Sequence, residues 1–210
     1  MISASKYLES QHIKLLYYVL VSWIPSALTI GQFAPDVQAA ENSMKDYMSI
    51  NTILEVGVEA PEFNLPNQSG AMVSLSEFRG KFVVVYFYPE DNTPGCTKES
   101  CDFRDNYVPF QKSGTVVLGI SPDSEESHVK FIADHNLPFT LLSDTEKKTL
   151  NAYGVWGPKT FAGKSYEGVV RSTVLIDPEG KIVKIWSPIT VAGHVDEVLN
   201  EVEQGVKARK

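Results

Sequence analysis

The run Lys81–Tyr88, KFVVVYFY, constrains the fold of this 210-residue chain more than any other segment. It is dense in β-branched and aromatic residues, with apolar side chains at successive positions, so it reads as a strand buried on both faces. Such a strand sits centrally in a sheet covered on both sides, and Pro89 ends it. Downstream, Thr97–Gln111 reads as a helix ending near Gly114, and Thr115–Ile120 as a second buried strand. Asp123, with Glu126 three residues on, predicts a capping box and a helix to about His135, its apolar face formed by Val129, Ile132 and Ala133. Phe139–Leu142 reads as a short strand and Thr145–Tyr153 as a short helix. Ser172–Ile176 and Lys181–Trp186 flank the turn Asp177–Gly180 as antiparallel strands. Gly193–Lys207 closes the chain as a helix with Val195, Val198, Leu199 and Val202 on one side. Upstream, Val58–Leu65 and Ala71–Leu75 alternate around Asn67–Gly70 and predict an N-terminal β-hairpin, followed by a helical turn at Ser76–Phe78. The whole is an α/β domain over residues 54–207, with a central mixed sheet flanked by helices.

Residues 1–40 have a different character. Leu15–Ile30, LLYYVLVSWIPSALTI, carries no charge; Lys6 and Lys14 precede it, and Val37 and Ala39 frame a cut before Ala40. This is the layout of a secretory signal, and it predicts export to the periplasm or the medium. The same run at residues 15–30 also suits an uncleaved membrane anchor. A true start at Met44 or Met48 would leave a cytoplasmic protein. Residues 41–53 read as a linker. The net charge of −7, without a Lys/Arg run, argues against nucleic acid as a partner.

The chemistry concentrates after Pro89. Cys96 and Cys101 are the only cysteines. Two are too few for a disulfide scaffold, they lack zinc-ligand spacing, and they are not C-x-x-C. Cys96 follows a buried strand, a loop and Gly95, where it opens a helix whose first N–H groups lack partners and stabilise a thiolate. Gly95 lets the backbone approach a small ligand closely. Thr93 offers a hydroxyl, and Pro89 and Pro94 stiffen the loop. The set describes a small nucleophilic thiol site. Five residues along one helix give a rise of about 7.5 Å, a turn of about 140° and Cα atoms roughly 8–9 Å apart. A disulfide needs about 7 Å or less, so a Cys96–Cys101 bond requires the helix to open. The plainer reading is a structural staple, but closing a six-residue loop gains little chain entropy. Glu99 and Arg104 read as solvated helix residues, and His128, His135 and His194 as surface residues.

The spacing Pro89-x-x-x-Thr93-x-x-Cys96 resembles the peroxiredoxin active-site motif, and TPGCTKESCDFRD resembles its bacterioferritin-comigratory or Q-type branch. VGVEAPEFNLP (56–66), GISPDSEESHVKF (119–131), LPFTLLSD (137–144) and GVVRSTVLIDPEGKI (168–182) agree, so the resemblance covers about residues 54–207. It implies a thioredoxin-like fold and a thiol-dependent peroxidase acting on hydrogen peroxide and organic hydroperoxides. By position it implies Cys96 as the peroxidatic cysteine and Cys101 as the resolving one. Thr93 and Arg171 would be further catalytic residues, with Pro89 and Gly95 at the substrate. Alone, Arg171 would read as a surface ion-pair partner. The implied partner is thioredoxin or a similar dithiol protein, and no metal, haem or flavin is implied. Two other readings stand beside this one. One is an exported thiol-disulfide exchange protein on the same fold, against which the missing C-x-x-C counts. The other is a binding module with a stapled helix.

Overall fold

The computed structural model describes residues 54–161 and 164–209. The expectations for the signal, the anchor and the linker lie outside these residues. Among the described residues no helix is long and apolar enough to cross a membrane.

The predicted central strand is β3 (Val83–Phe87), in a five-stranded sheet. Its other members are β4 (Val116–Ser121), β5 (Thr140–Ser143), β8 (Ser172–Ile176) and β9 (Ile182–Trp186), in the order β5-β4-β3-β8-β9. β3 and β5 both run parallel to β4, while β8 is antiparallel to β3 and to β9. The doubly apolar run has its reason here. Val83, Val85 and Phe87 join one core with Leu118, Ile120, Leu150 and Val174. Val84, Tyr86 and Tyr88 join the other with Cys96, Phe103, Phe110, Phe131 and Val198. Successive side chains point to opposite faces, and both faces are covered. Gly119 lies where β4 passes Tyr86: a Cβ there would meet Leu141 Cδ2 at 2.6 Å and the Tyr86 ring at 2.7 Å. Gly119→Ala is expected to lower stability by about 1–3 kcal/mol, read as a lower urea midpoint at unchanged slope.

The predicted hairpin is present but shorter. β1 (Asn64–Pro66) pairs with β2 (Met72–Ser74) in a separate two-stranded sheet. The Asn67 side chain ties its turn, accepting from the N–H of Ser69 and of Ala71. The extended segment before it bridges instead to the residue just before β9, Glu59 opposite Lys181.

Three expectations change. The helix expected over Thr97–Gln111 is two: α1 (Pro94–Asp105) and α2 (Tyr107–Lys112). Pro109 cannot donate to a carbonyl one turn back, so the chain restarts and places it in a first turn. α1 begins earlier than expected because Pro94 fits the first helical position. α3 (Glu125–His135) is capped by Ser124, whose hydroxyl accepts from Ser127 N, and not by Asp123. Its buried face is His128 and Phe131, with Val129 and Ala133 exposed. Last, β6 (Trp156–Phe161) and β7 (Lys164–Val169) form an unforeseen antiparallel hairpin. Gly157, Pro158 and Gly168 hid the strand pattern. Of the remaining helices, α4 (Lys148–Ala152) is shorter than the expected Thr145–Tyr153, while α5 (His194–Lys207) matches expectation and buries Val195, Val198 and Val202.

Candidate active site

β3 delivers the chain to Pro89, and a buried polar network then fixes the loop. The Asp91 carboxylate accepts from Tyr88 Oη and Ser127 Oγ, each at 2.8 Å, and lies 2.9 Å from His128 Nδ1. The Asp91 N–H donates to Asp123 Oδ2 at 2.9 Å. Asn92 takes a left-handed conformation, φ 57°, a turn that asparagine tolerates. Thr93 then precedes α1 as its N-cap, and its backbone carbonyl accepts from Thr97 N at 2.9 Å. The Thr93 hydroxyl donates to Glu90 O at 3.0 Å, which leaves its oxygen able to accept. His128, expected at the surface, is fully buried. Nothing local in the sequence announces this network, because its parts come from two loops and a helix.

Cys96 is the third residue of α1 and has no exposed surface. With the helix starting at Pro94, the N–H groups of Gly95 and Cys96 have no intrahelical acceptor. Arg171, just before β8, donates from Nη2 to Cys96 Sγ at 3.1 Å. Its Nη1 donates to Glu99 Oε2. One planar guanidinium therefore spans a thiol and a carboxylate, a pairing that a lysine could not copy. Gly95 eases the approach: a Cβ there would stand 3.2 Å from Arg171 Nη2, a tight contact that the guanidinium would have to yield to. Pro89 is half-buried at the loop's start. Cys101 is half-buried on the same helix, and both cysteines are free thiols.

Glu99 corrects the sequence reading, since it is fully buried and not solvated. Burial pushes its carboxyl from 4.5 up to about 7, against the pull of Arg171. The i, i+3 step from Cys96 to Glu99 places both on one face of α1, a signal available in the sequence. Arg104 is a partly exposed helix residue, as expected, bonded to Asp105 and the His135 carbonyl. His194 is also buried, contrary to expectation, with Nε2 2.7 Å from Thr173 Oγ1. Burial, aided by Arg171, lowers it to about 4, so it is neutral at physiological pH. From the β6–β7 hairpin, the half-buried Lys159 donates to Val169 O at 2.9 Å. Burial and nearby Arg171 lower its ammonium, while Cys96 acts the other way. Among the described residues no three His, Cys, Asp or Glu side chains converge to hold a metal ion. A groove of about 450 Å³ lined by Glu62, Asn64, Asp144 and Lys148 includes none of the site residues.

A buried thiol in the first turn of a helix, met by an arginine that precedes a strand of a thioredoxin-like sheet, suits a thiol-dependent peroxidase. The model of the AhpC/TSA family matches residues 56–185. Peroxiredoxin Bcp of Bacillus subtilis is 48% identical over 150 residues, covering 71% of this chain and 96% of that protein. Peroxiredoxin Bcp of Escherichia coli is 44% identical over 151 residues, 72% and 97%. A solved structure of the bacterioferritin comigratory protein of Xanthomonas campestris superposes with a TM-score of 0.68 at 36% identity, covering 72% of this chain and 99% of that one. The chain belongs to the AhpC/TSA family of peroxiredoxins and is a thiol-dependent peroxidase.

Proposed function

We propose that Cys96 is the peroxidatic cysteine and Cys101 the resolving cysteine of a cycle confined to one chain. The observation that carries the first assignment is the 3.1 Å contact from Arg171 Nη2 to a fully buried Sγ in a helical first turn. The Cys96 thiolate attacks the terminal peroxide oxygen. An S–O bond forms, the O–O bond breaks, and its electron pair leaves on the second oxygen, which takes up a proton to become alcohol or water. Arg171 and the free N–H groups of Gly95 and Cys96 face the charge that develops, and they stabilise it more than the ground state. The Thr93 hydroxyl, with its hydrogen on Glu90 O, accepts the peroxide O–H and orients the oxygen under attack.

The product is a Cys96 sulfenic acid. Cys101 condenses with it, forming a disulfide and releasing water, and a thioredoxin-like dithiol returns both thiols by exchange. Both cysteines lie within α1, so the helix must open between them. Its packing suits this. The buried residues of α1 are Cys96, Glu99, Ser100 and Phe103, of which only Phe103 is a large apolar anchor. Cys101→Ser is expected to complete the first step, accumulate sulfenic acid detectable by a sulfenate probe, and recycle with thioredoxin at least about tenfold more slowly. Unchanged recycling removes Cys101 from the mechanism. The reading as an exchange protein is not favoured, since the relatives found are peroxiredoxins. Export by the residue 15–30 segment stays part of the proposal, and N-terminal sequencing of the mature protein from fractionated cells tests it.

A further inference from the structure

Glu99 stands between the two cysteines, on the segment that must open before they can bond. It has no exposed surface. Oε2 receives the Nη1–H of Arg171, while Oε1 is buried with no hydrogen-bond partner. A carboxylate held this way is half satisfied. Arg171 offsets part of its desolvation, and the orphan oxygen keeps the rest. The groups facing it are Arg171 from just before β8, Tyr86 from β3 and Asp102 from its own helix, and Cys96 shares the Arg171 guanidinium. Lys159 and the neutral His194 lie beyond Arg171. Asp102 opposes ionisation of Glu99, and Tyr86 is a buried neutral phenol, so Arg171 alone favours the charged form.

We propose that Glu99 is a proton-linked latch on the second half-reaction. Protonated, it keeps α1 packed over the site; ionised, it leaves for solvent as the segment between the cysteines opens. The latch rests on Cys101 being the resolving thiol. Its direction follows from burial. In the packed helix the carboxyl sits at about 7, and in the opened segment it returns towards 4.5. A group raised in the packed state stabilises that state fully below about 4.5 and loses this contribution as pH rises through about 7. Acid therefore holds the helix shut, and neutrality releases it. His194 has the opposite sign, but it sits on α5 and is not carried by the opening segment.

Disulfide closure is itself proton-neutral. The S–O bond of the sulfenic acid breaks, the S–S bond forms, and the Cys101 proton leaves with the hydroxyl as water. A proton that appears during closure must come from a group whose surroundings change. The test is stopped flow on the full chain in weak buffer with a pH indicator and one equivalent of hydrogen peroxide, with closure followed by acid quench and thiol alkylation. In the closure phase at pH 6, the wild type is expected to release about 0.9 proton per disulfide, and at pH 8 about a tenth. Glu99→Gln should release none at pH 6 while still closing the bond. Equal release at both pH values, or the same release in Glu99→Gln, overturns the latch. The wild-type comparison alone decides if that variant does not fold. If no disulfide forms at any pH, the assignment of Cys101 has failed instead, and the two failures are told apart.

Discussion

Cys96→Ser is expected to abolish peroxide turnover, a loss of at least about 10⁴-fold in kcat/KM, because no other group in the site can take over the nucleophile's part. Serine is nearly isosteric with cysteine, and its oxygen can accept the Arg171 Nη2–H that Sγ now receives. The fold, the ion pair and the loop network should therefore survive. An alkoxide at this position is not accessible at neutral pH, and a neutral hydroxyl does not displace on a peroxide oxygen. The readout is hydrogen peroxide consumption with thioredoxin and its reductase, alongside a circular dichroism spectrum that matches the wild type. Full activity in this variant would disprove the assignment of Cys96.

Arg171→Gln is expected to lower kcat/KM for peroxide by about 10²–10³, the usual effect of removing a donor aimed at developing charge. Glutamine can still donate one hydrogen bond, but it brings no charge and cannot span both Cys96 and Glu99. Arg171→Lys should recover only part of the loss. An ammonium keeps the charge without the fork that reaches Sγ with one nitrogen and Oε2 with the other. Removing one partner of a buried pair typically costs about 3–5 kcal/mol when the other charge is stranded. Glu99 softens this, because its carboxyl already sits at about 7 and can take a proton. The stability loss in Arg171→Gln should thus be smaller at pH 6 than at pH 8, which denaturant titrations at the two pH values would show. Equal losses would mean that Glu99 is not the carboxylate left behind.

Much of the domain was legible because its signals are local. The run KFVVVYFY carries its own account of a doubly covered strand, and β3 bears it out with five buried residues in a row. Val195, Val198 and Val202 mark the buried side of α5 in the same way. The α3 face was misread because its largest buried residues, His128 and Phe131, are a polar residue and an aromatic one, while Val129 points to water. Hydropathy ranks valine above histidine, but a partner as strong as the Asp91 carboxylate reverses the order. The β6–β7 hairpin was missed because glycine and proline interrupt its strands, a pattern that a two-stranded ribbon tolerates.

The motif Pro89–Cys96 with its second cysteine, and the order of segments around it, marked the family from sequence alone, and the matched family and its relatives agree. Those features depend on spacing along one stretch of chain, and spacing is what a sequence records. Only the tertiary structure decided that Glu99 is buried against Arg171 and that Asp91 anchors the loop before Cys96. Each depends on groups brought together from distant parts of the chain, Glu99 and Arg171 being 72 residues apart. Whether a carboxylate on a helix is solvated or sealed under a guanidinium is settled by what packs over it. The same packing covers the segment between the two cysteines, whose opening the proposed cycle requires.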